Sequence, residues 1–483
     1  MNLAQASVKI FLAKLITSLA SFIAIVVFSR GLGADPLGVY YPFVALLGIL
    51  SLPTNFGLSL AVEKRISEGK ERSQYLGGGI FMRIILLMIF SIPIYIYQDP
   101  IANYVGADIA KILLIALWFQ VAANFSMAVL KGELRVGETA LIRVLQPLIW
   151  LSVGYALLSI GYDVEGIIYS HILGTIAMFL IATWRISIYP SVPQQRHLKS
   201  LFEFGKYSFV NSIGGLIYSW MDVLILTAFV SLEIASTRGE IGAYENAWRV
   251  SLLVTFVSRS IAQVVFPQIS EWSAQDNTDK IERVLAKAIV PGLIIVPPAF
   301  VGVILFSEEI LTYLFGAEFT VAATALVVLV GLRFFQAIDG IYGRVLDAFD
   351  RPDLTMIATI VSIITNLLLN VVLIYSLGIL GAAIATTVAF TIKTLIDVHY
   401  MGKFIEIKIS YRILGWSSIS SMLMGVFLYW IKAITGIRSL IELLIFVCMG
   451  AAVYGTCLLL YGPVRDFIQE TAEPLIGGID FNY

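Results

Sequence analysis

The chain has 483 residues, 59% of them hydrophobic and only 13% charged, with a formal net charge of −1 and a mean hydropathy of +0.89. That leaves too little polar surface for a soluble globular protein of this length and excludes a basic nucleic-acid-binding domain. The apolar residues fall in blocks long enough to cross a bilayer, about 20 residues per helix, so the composition predicts an all-α polytopic membrane protein.

Fourteen apolar blocks are expected, near 8–30, 38–61, 77–98, 109–130, 140–160, 164–184, 208–231, 241–266, 286–306, 320–343, 354–377, 379–400, 413–432 and 438–461. The first is long for a signal-peptide core and lacks a clear small-x-small cleavage site, so it is read as a span. Loops between blocks are short, which leaves no place for a catalytic ectodomain. Cys448 and Cys457 share the last block and are read as small apolar fillers rather than a disulfide or a metal site.

Lys and Arg gather in alternate loops. Lys64, Arg65, Lys70 and Arg72 follow the second block, Lys131, Arg135 and Arg143 the fourth, and Arg185, Arg196 and Lys199 the sixth. Lys280, Arg283 and Lys287 follow the eighth, Arg344 and Arg351 the tenth, and Lys403, Lys408 and Arg412 the twelfth. The positive-inside rule then places both termini in the cytoplasm. Arg238, Lys432 and Arg438 break the pattern.

The first six blocks repeat in the next six. Gly38-Val39-Tyr40 falls where Gly242-Ala243-Tyr244 falls, and Gly166 to Ile172 lines up with Gly381 to Thr387. The expected organisation is an N-terminal six-helix lobe over 1–190, an amphipathic cytoplasmic linker over 191–206, a C-terminal six-helix lobe over 207–402, and two extra helices with a tail over 403–483. Repeats of six spans keep one topology, so a transport path between the lobes is expected. A second amphipathic stretch, Asp276 to Lys287, is expected at the cytoplasmic surface.

Ionisable groups inside apolar blocks are costly in lipid and mark candidate sites. Asp222 in the seventh block and Arg249 in the eighth both fall roughly 12–14 Å below the outer surface at 1.5 Å per residue, so an ion pair between them is geometrically reasonable. Glu245 lies four residues before Arg249, on the same helical face. Two readings stand for this trio: a network locking two helices, or a site for a coupling ion or headgroup. Asn366 and Asn370 are also four apart, and interhelical hydrogen bonding is the simpler reading of that pair.

The order and spacing of several motifs resemble the oligosaccharide flippases, or polysaccharide transporters, of the superfamily that includes multidrug extruders and lipid II flippases. The carriers are Ser29-Arg30-Gly31-Leu32-Gly33 through Gly38-Val39-Tyr40, Asn55-Phe56-Gly57-Leu58, and Leu130-Lys131-Gly132-Glu133-Leu134-Arg135. Asp222 followed by Ile241-Gly242-Ala243-Tyr244, then Phe266-Pro267-Gln268-Ile269-Ser270, Leu314-Phe315-Gly316-Ala317-Glu318-Phe319, and Asn366 to Asn370 followed by Leu377-Gly378-Ile379-Leu380-Gly381-Ala382-Ala383 complete the set.

The resemblance implies two six-helix lobes around a V-shaped cavity in a prokaryotic cell membrane. It also implies alternating-access flipping of a polyprenyl- or dolichyl-linked sugar from the cytoplasmic to the outer leaflet, for polysaccharide or glycoprotein glycan assembly. Membrane lipids and glycan-assembly enzymes are the expected partners. A lipid diphosphate needs cations, and Arg333, Arg30, Arg83 and Arg259 are the headgroup candidates, guanidinium being suited to paired bonds with phosphate. For Arg30 and Arg83 snorkelling to a membrane surface is an equal alternative.

Asp222, Asn366, Asn370 and Thr386 look like the sodium ligands of lipid II flippases, with a neutral Asn370 where an aspartate would hold a cation more firmly. No cofactor is expected, and sodium or proton coupling is the candidate drive. The absence of a Gly-x-x-x-x-Gly-Lys loop argues against direct use of ATP. Within the same superfamily the alternative is a cation-coupled drug or small-solute antiporter. A membrane-embedded glycosyltransferase or polymerase fits less well, since no acidic catalytic loop motif is present.

Overall fold

The computed structural model describes residues 3–256, 258, 269, 272, 278–349, 351–406, 411–467 and 469. All secondary structure among the described residues is helical. Lipid offers no hydrogen bonds to the backbone, so a spanning chain must satisfy its peptide groups within each helix. Eleven helices among the described residues are long and apolar enough to cross a bilayer.

Two compact units divide the chain, Met1–Gly242 and Ala243–Tyr483. The first contains α1 (Leu3–Leu32), α2 (Ala34–Asn55), α3 (Leu58–Ser67), α4 (Arg72–Ile96), α5 (Gln98–Val105), α6 (Ala110–Gly132), α7 (Val136–Ser159), α8 (Val164–Arg185), α9 (Gln195–Ser231) and the first turn of α10 (Arg238–Leu252). In this unit α7 packs between α1 and α8, and α6 lies against α3 and α8. Leu58, Ala61, Val62 and Ile66 of α3 meet Phe125 and Val129 of α6 and Leu201 of α9 in one buried cluster.

The second unit continues α10 into a short 3-10 turn, Leu253–Thr255. It then holds α11 (Thr278–Leu314), a 3-10 segment Ala317–Ala322, α12 (Ala323–Ala348), α13 (Pro352–Met401), α14 (Tyr411–Thr435) and α15 (Leu440–Leu459). Here α12 packs on α11 and α13, and α14 on α11 and α15.

The apolar stripes face outward. On α4, Phe81, Ile85, Met88 and Ile92 are all exposed, a spacing of three to four residues that lines one side of a helix. Ile357, Ile360, Ile364, Leu367 and Val371 repeat this on α13. Contiguous apolar surface of this kind is stable against lipid and is a liability in water.

Several boundaries differ from the expected blocks. The second block breaks at a left-handed turn, Phe56 (φ 42°) and Gly57 (φ 69°), giving α2 and the amphipathic α3. The third block yields α4 and the short α5. The linker stretch and the seventh block form a single 37-residue helix, α9, in which only Ser219–Ser231 counts as a shorter apolar helix. Contacts accordingly group the seventh block with the first unit, whereas the repeat puts the lobe boundary before it. The eighth block runs partly into residues outside the described set. Blocks eleven and twelve form α13, 50 residues broken at Gly378 (φ 56°, ψ −135°).

The repeat has a physical counterpart in the first unit. A Cβ on Gly38 would lie 1.8 Å from the Arg238 carbonyl oxygen, and one on Gly242 would lie 2.3 Å from that of Ala34. The paired glycines of the two repeats thus let the starts of α2 and α10 cross backbone to backbone.

Candidate functional site

Within the first unit a cavity of about 430 Å³ opens among α1, α2, α6, α7, α8 and α9, inside the range of small-molecule sites, about 300–1,000 Å³. Its wall is polar for a bundle of apolar helices. Thr17, Ser51, Gln120, Asn124, Gln146 and His171 line it beside Val44, Leu47, Met178 and Trp220, and Arg143 supplies a cation. Arg143 was counted with the cations following the fourth block although it lies within the fifth, 140–160; it stands on α7 with its side chain exposed to the cavity.

Aromatic packing braces the site. Tyr40 Oη lies 3.0 Å from His171 Nδ1, and Gln146 Nε2 lies 3.4 Å from the same nitrogen. Tyr40 stacks on Trp150 with ring centroids 5.5 Å apart, and Trp150 meets Phe28 edge-on at 5.2 Å. The phenol and the amide can both donate, so His171 Nδ1 serves as an acceptor for them.

Arg83 turns inward rather than toward a membrane surface. It is 4% exposed and donates to Asn55 Oδ1 at 2.6 Å, Ser59 Oγ at 3.1 Å and the Val121 carbonyl at 3.1 Å. The Phe125 ring lies 4.3 Å from its guanidinium carbon. These contacts join α2, α3, α4 and α6. Arg30 sits exposed in the last turn of α1, where a cation complements the helix dipole. Arg259 lies outside the described residues.

In the second unit Arg333 is fully buried. Its Nε donates to Ser251 Oγ at 3.2 Å, a second nitrogen bonds the same hydroxyl, a third bonds Gln336, and the guanidinium carbon lies 4.3 Å from the Trp248 ring. Arg249 pairs with Glu245 at 2.9 Å, one helical turn apart. Asp222 is 9% exposed on α9 in the first unit, so the expected Asp222–Arg249 pair joins residues of different units.

Asn370 Nδ2 donates to Asn366 Oδ1 at 3.0 Å, and Asn366 Nδ2 donates to Thr386 Oγ1 at 3.0 Å. Ser362 Oγ donates to the Ala389 carbonyl at 3.0 Å, so polar contacts tie the two halves of α13 across the break at Gly378. All donor atoms that Asn366, Asn370 and Thr386 offer a cation are neutral oxygens, the type hard cations prefer, and the one carboxylate of the expected set belongs to the other unit.

Arg143, Gln120, Asn124, Gln146 and His171 escaped the sequence reading. Each is a single polar residue in an apolar block. Their common signal is periodicity: Gln120 and Asn124 are four apart on α6, and Arg143 and Gln146 three apart on α7, so each pair shares a helix face.

Comparison with known proteins adds an independent line. Residues 27–324, more than half of the chain, match the family described as polysaccharide biosynthesis protein. The chain is 41% identical over 466 residues to the probable low-salt glycan biosynthesis flippase Agl15 of Haloferax volcanii, covering 96% of this chain and 98% of that one. It is 27% identical to the probable flippase AglR of the same organism, covering 99% of this chain and 100% of that one. Among solved structures, the inward closed conformation of the lipid II flippase MurJ superposes with a TM-score of 0.77 at 19% identity, covering 97% of this chain and 99% of that one. The fold is therefore that of MurJ, and the chain belongs to the polysaccharide biosynthesis protein family, the polysaccharide-transporter group its ordered motifs resemble.

Proposed function

We propose that this protein is a flippase that moves a lipid-linked oligosaccharide or sugar from the cytoplasmic to the outer leaflet by alternating access. The observation that carries this reading is the polar cavity with Arg143 on its wall, in a unit built of bilayer-length helices. A glycan presents hydroxyls, which Gln120, Asn124, Gln146 and Ser51 can bond, and its phosphate linkage presents the anion that a guanidinium pairs with. The names of the relatives support the same substrate class. A transporter needs no catalytic group, and the protein is read as one rather than as an enzyme.

On this reading Arg143 joins Arg30, Arg83, Arg259 and Arg333 as a headgroup candidate, and it is the one whose side chain lines the described cavity. The protein would lie in a prokaryotic cell membrane with both termini in the cytoplasm, near enzymes of glycan assembly. Asp222, Asn366, Asn370 and Thr386 would hold sodium if transport is sodium-coupled, with Glu245 and Arg249 as a gating pair.

Reconstituted liposomes test the proposal directly. Protein-containing vesicles are expected to move a fluorescent polyprenyl-diphosphate sugar between leaflets faster than empty vesicles do. Equal rates across a range of sugars would overturn it. Replacing sodium by choline in the same assay, with Asp222→Asn beside wild type, tests the coupling ion; unchanged flux in both arms removes sodium.

A further inference from the structure

Asp339 on α12 and Lys393 and Asp397 on α13 form a charge cluster in the second unit. Lys393 Nζ bonds Asp339 Oδ1 and lies 2.8 Å from Asp397 Oδ2. The Asp397 side chain is 0% exposed, Lys393 13% and Asp339 15%. All three stand in helical segments apolar and long enough to span a bilayer.

Two carboxylates against one ammonium leave one negative charge uncompensated. Among the described residues, the charges acting on Lys393 are those of Asp339 and Asp397, and those acting on Asp397 are Lys393 and Asp339. On α11, which packs against α12, the described ionisable groups are Lys280, Glu282, Arg283 and Lys287 near its start and Glu308 and Glu309 near its end. Asp397 Oδ1 is buried and accepts no hydrogen bond among the described residues. A buried carboxylate oxygen without a donor is held at a large desolvation cost, and charge inside a membrane segment is retained where it is used.

Chemistry selects the missing cation. A sodium ion would need several oxygens around it, and the ammonium of Lys393 already stands between the two carboxylates. A proton needs only one oxygen and displaces nothing.

We propose that Asp339, Lys393 and Asp397 form a proton-binding site that takes up one proton on the Asp397 carboxyl, separate from the residues expected to hold headgroup or sodium. The proton comes from water and forms one O–H bond at Oδ1. Lys393 remains an ammonium ion, and the cluster passes from a net charge of −1 to zero. A neutral Asp397 attracts Lys393 less, so Lys393 is left to Asp339 alone and the ion pair that clamps α12 to the second half of α13 tightens. The link to transport rests on the flippase reading; the proton site does not.

The test uses purified full-length protein without substrate, so that it is separate from any flipping assay. Infrared difference spectra between mildly acidic and mildly alkaline buffer are expected to show a protonated-carboxyl C=O band in wild type. With a pH-indicator dye the same step is expected to consume one proton per chain that Asp397→Asn does not consume. Asp397→Asn should lose the band, Asp397→Glu should keep it at a shifted frequency, and Asp222→Asn should leave it in place. A band that is unchanged in Asp397→Asn, or no carboxyl band in wild type, overturns the proposal, and the wild-type arm stands even if a variant fails to fold. A band abolished by sodium against choline at fixed pH overturns it in favour of a sodium site.

Discussion

Arg83 and Arg143 differ in what already occupies their guanidinium groups. Arg83 donates to Asn55, Ser59 and the Val121 carbonyl and lies over Phe125, so its loss leaves buried acceptors without a donor, at roughly 1–3 kcal/mol. Arg83→Met is therefore expected to lower thermal stability by that order and to lower the flipping rate of each folded molecule less than loss of Arg143 does. Arg143→Gln is expected to do the reverse: a fall in flipping of about 10- to 150-fold, from a lost charge-assisted bond of about 1.5–3 kcal/mol, with unchanged melting temperature. Thermal-shift and liposome assays on the two variants side by side check the contrast; equal losses of stability in both would refute it. Both arginines are visible in the sequence as charges near apolar blocks. What the sequence cannot display is that Asn55 and Ser59, from other helices, meet Arg83, because those acceptors converge only through tertiary packing. Arg143 was hidden for a simpler reason: it was counted with the cations of the preceding loop, although it lies within the fifth block and on α7.

At the scale of elements, the sequence revealed the repeat and its glycines but not that the two glycines face one another. A valine at Gly38 would drive its side chain into the Arg238 carbonyl, and one at Gly242 into that of Ala34. Gly38→Val or Gly242→Val should each cost about 1–3 kcal/mol or more by overpacking. The double variant should cost less than the sum, since the first substitution already parts the helices that the second would clash against. Strict additivity in denaturation measurements would show that the two contacts are independent. The linker behaves differently. Gln194 donates its backbone N–H to His197 Nδ1 at 3.0 Å, which leaves the ring proton on Nε2, 3.0 Å from Glu71; Arg196 bonds the same carboxylate. The His197 hydrogen bond, helped by Arg196, holds the Glu71 carboxyl below its ordinary range. A depressed carboxyl contributes its stability above the unfolded value, near 4.3, and loses it as pH falls through the lower folded value. Protection of the amides at the start of α9, their exchange rate relative to the intrinsic rate at the same pH, is thus expected to be high at neutral pH and to fall on acidification below about pH 4. Glu71→Gln should show the lower protection at neutral pH already.

For the whole molecule, the alternation of cationic loops was readable because topology depends on Lys and Arg counts in short loops, which need no tertiary contact to act. The span count was less readable, since helix breaks at Phe56-Gly57 and Gly378 turn on left-handed backbone that hydropathy does not register. Two of the three exceptions to the charge pattern now have local explanations. Arg238 bonds the Val105 carbonyl and reaches that of Asn103, and Lys432 pairs with Glu309 at 2.6 Å and with the Leu305 carbonyl at 2.6 Å. A cation spent on helix-end carbonyls or on a carboxylate carries little of the bias that a free cation gives a loop. The orientation should then follow the remaining loops, with Lys64, Arg65, Lys70 and Arg72 inside. In a background with Cys448 and Cys457 replaced by alanine, a cysteine at Lys70 should react with a membrane-impermeant maleimide only after the cells are opened, and one at Asp163 should react in intact cells. The same contrast should hold between Lys403 and Thr435, because Lys432 is neutralised where it stands. Labelling of Lys70 and Asp163 from the same side, or of Thr435 from the cytoplasmic side, would mean that Arg238 and Lys432 do steer insertion, and the assignment of both termini to the cytoplasm would fall with it.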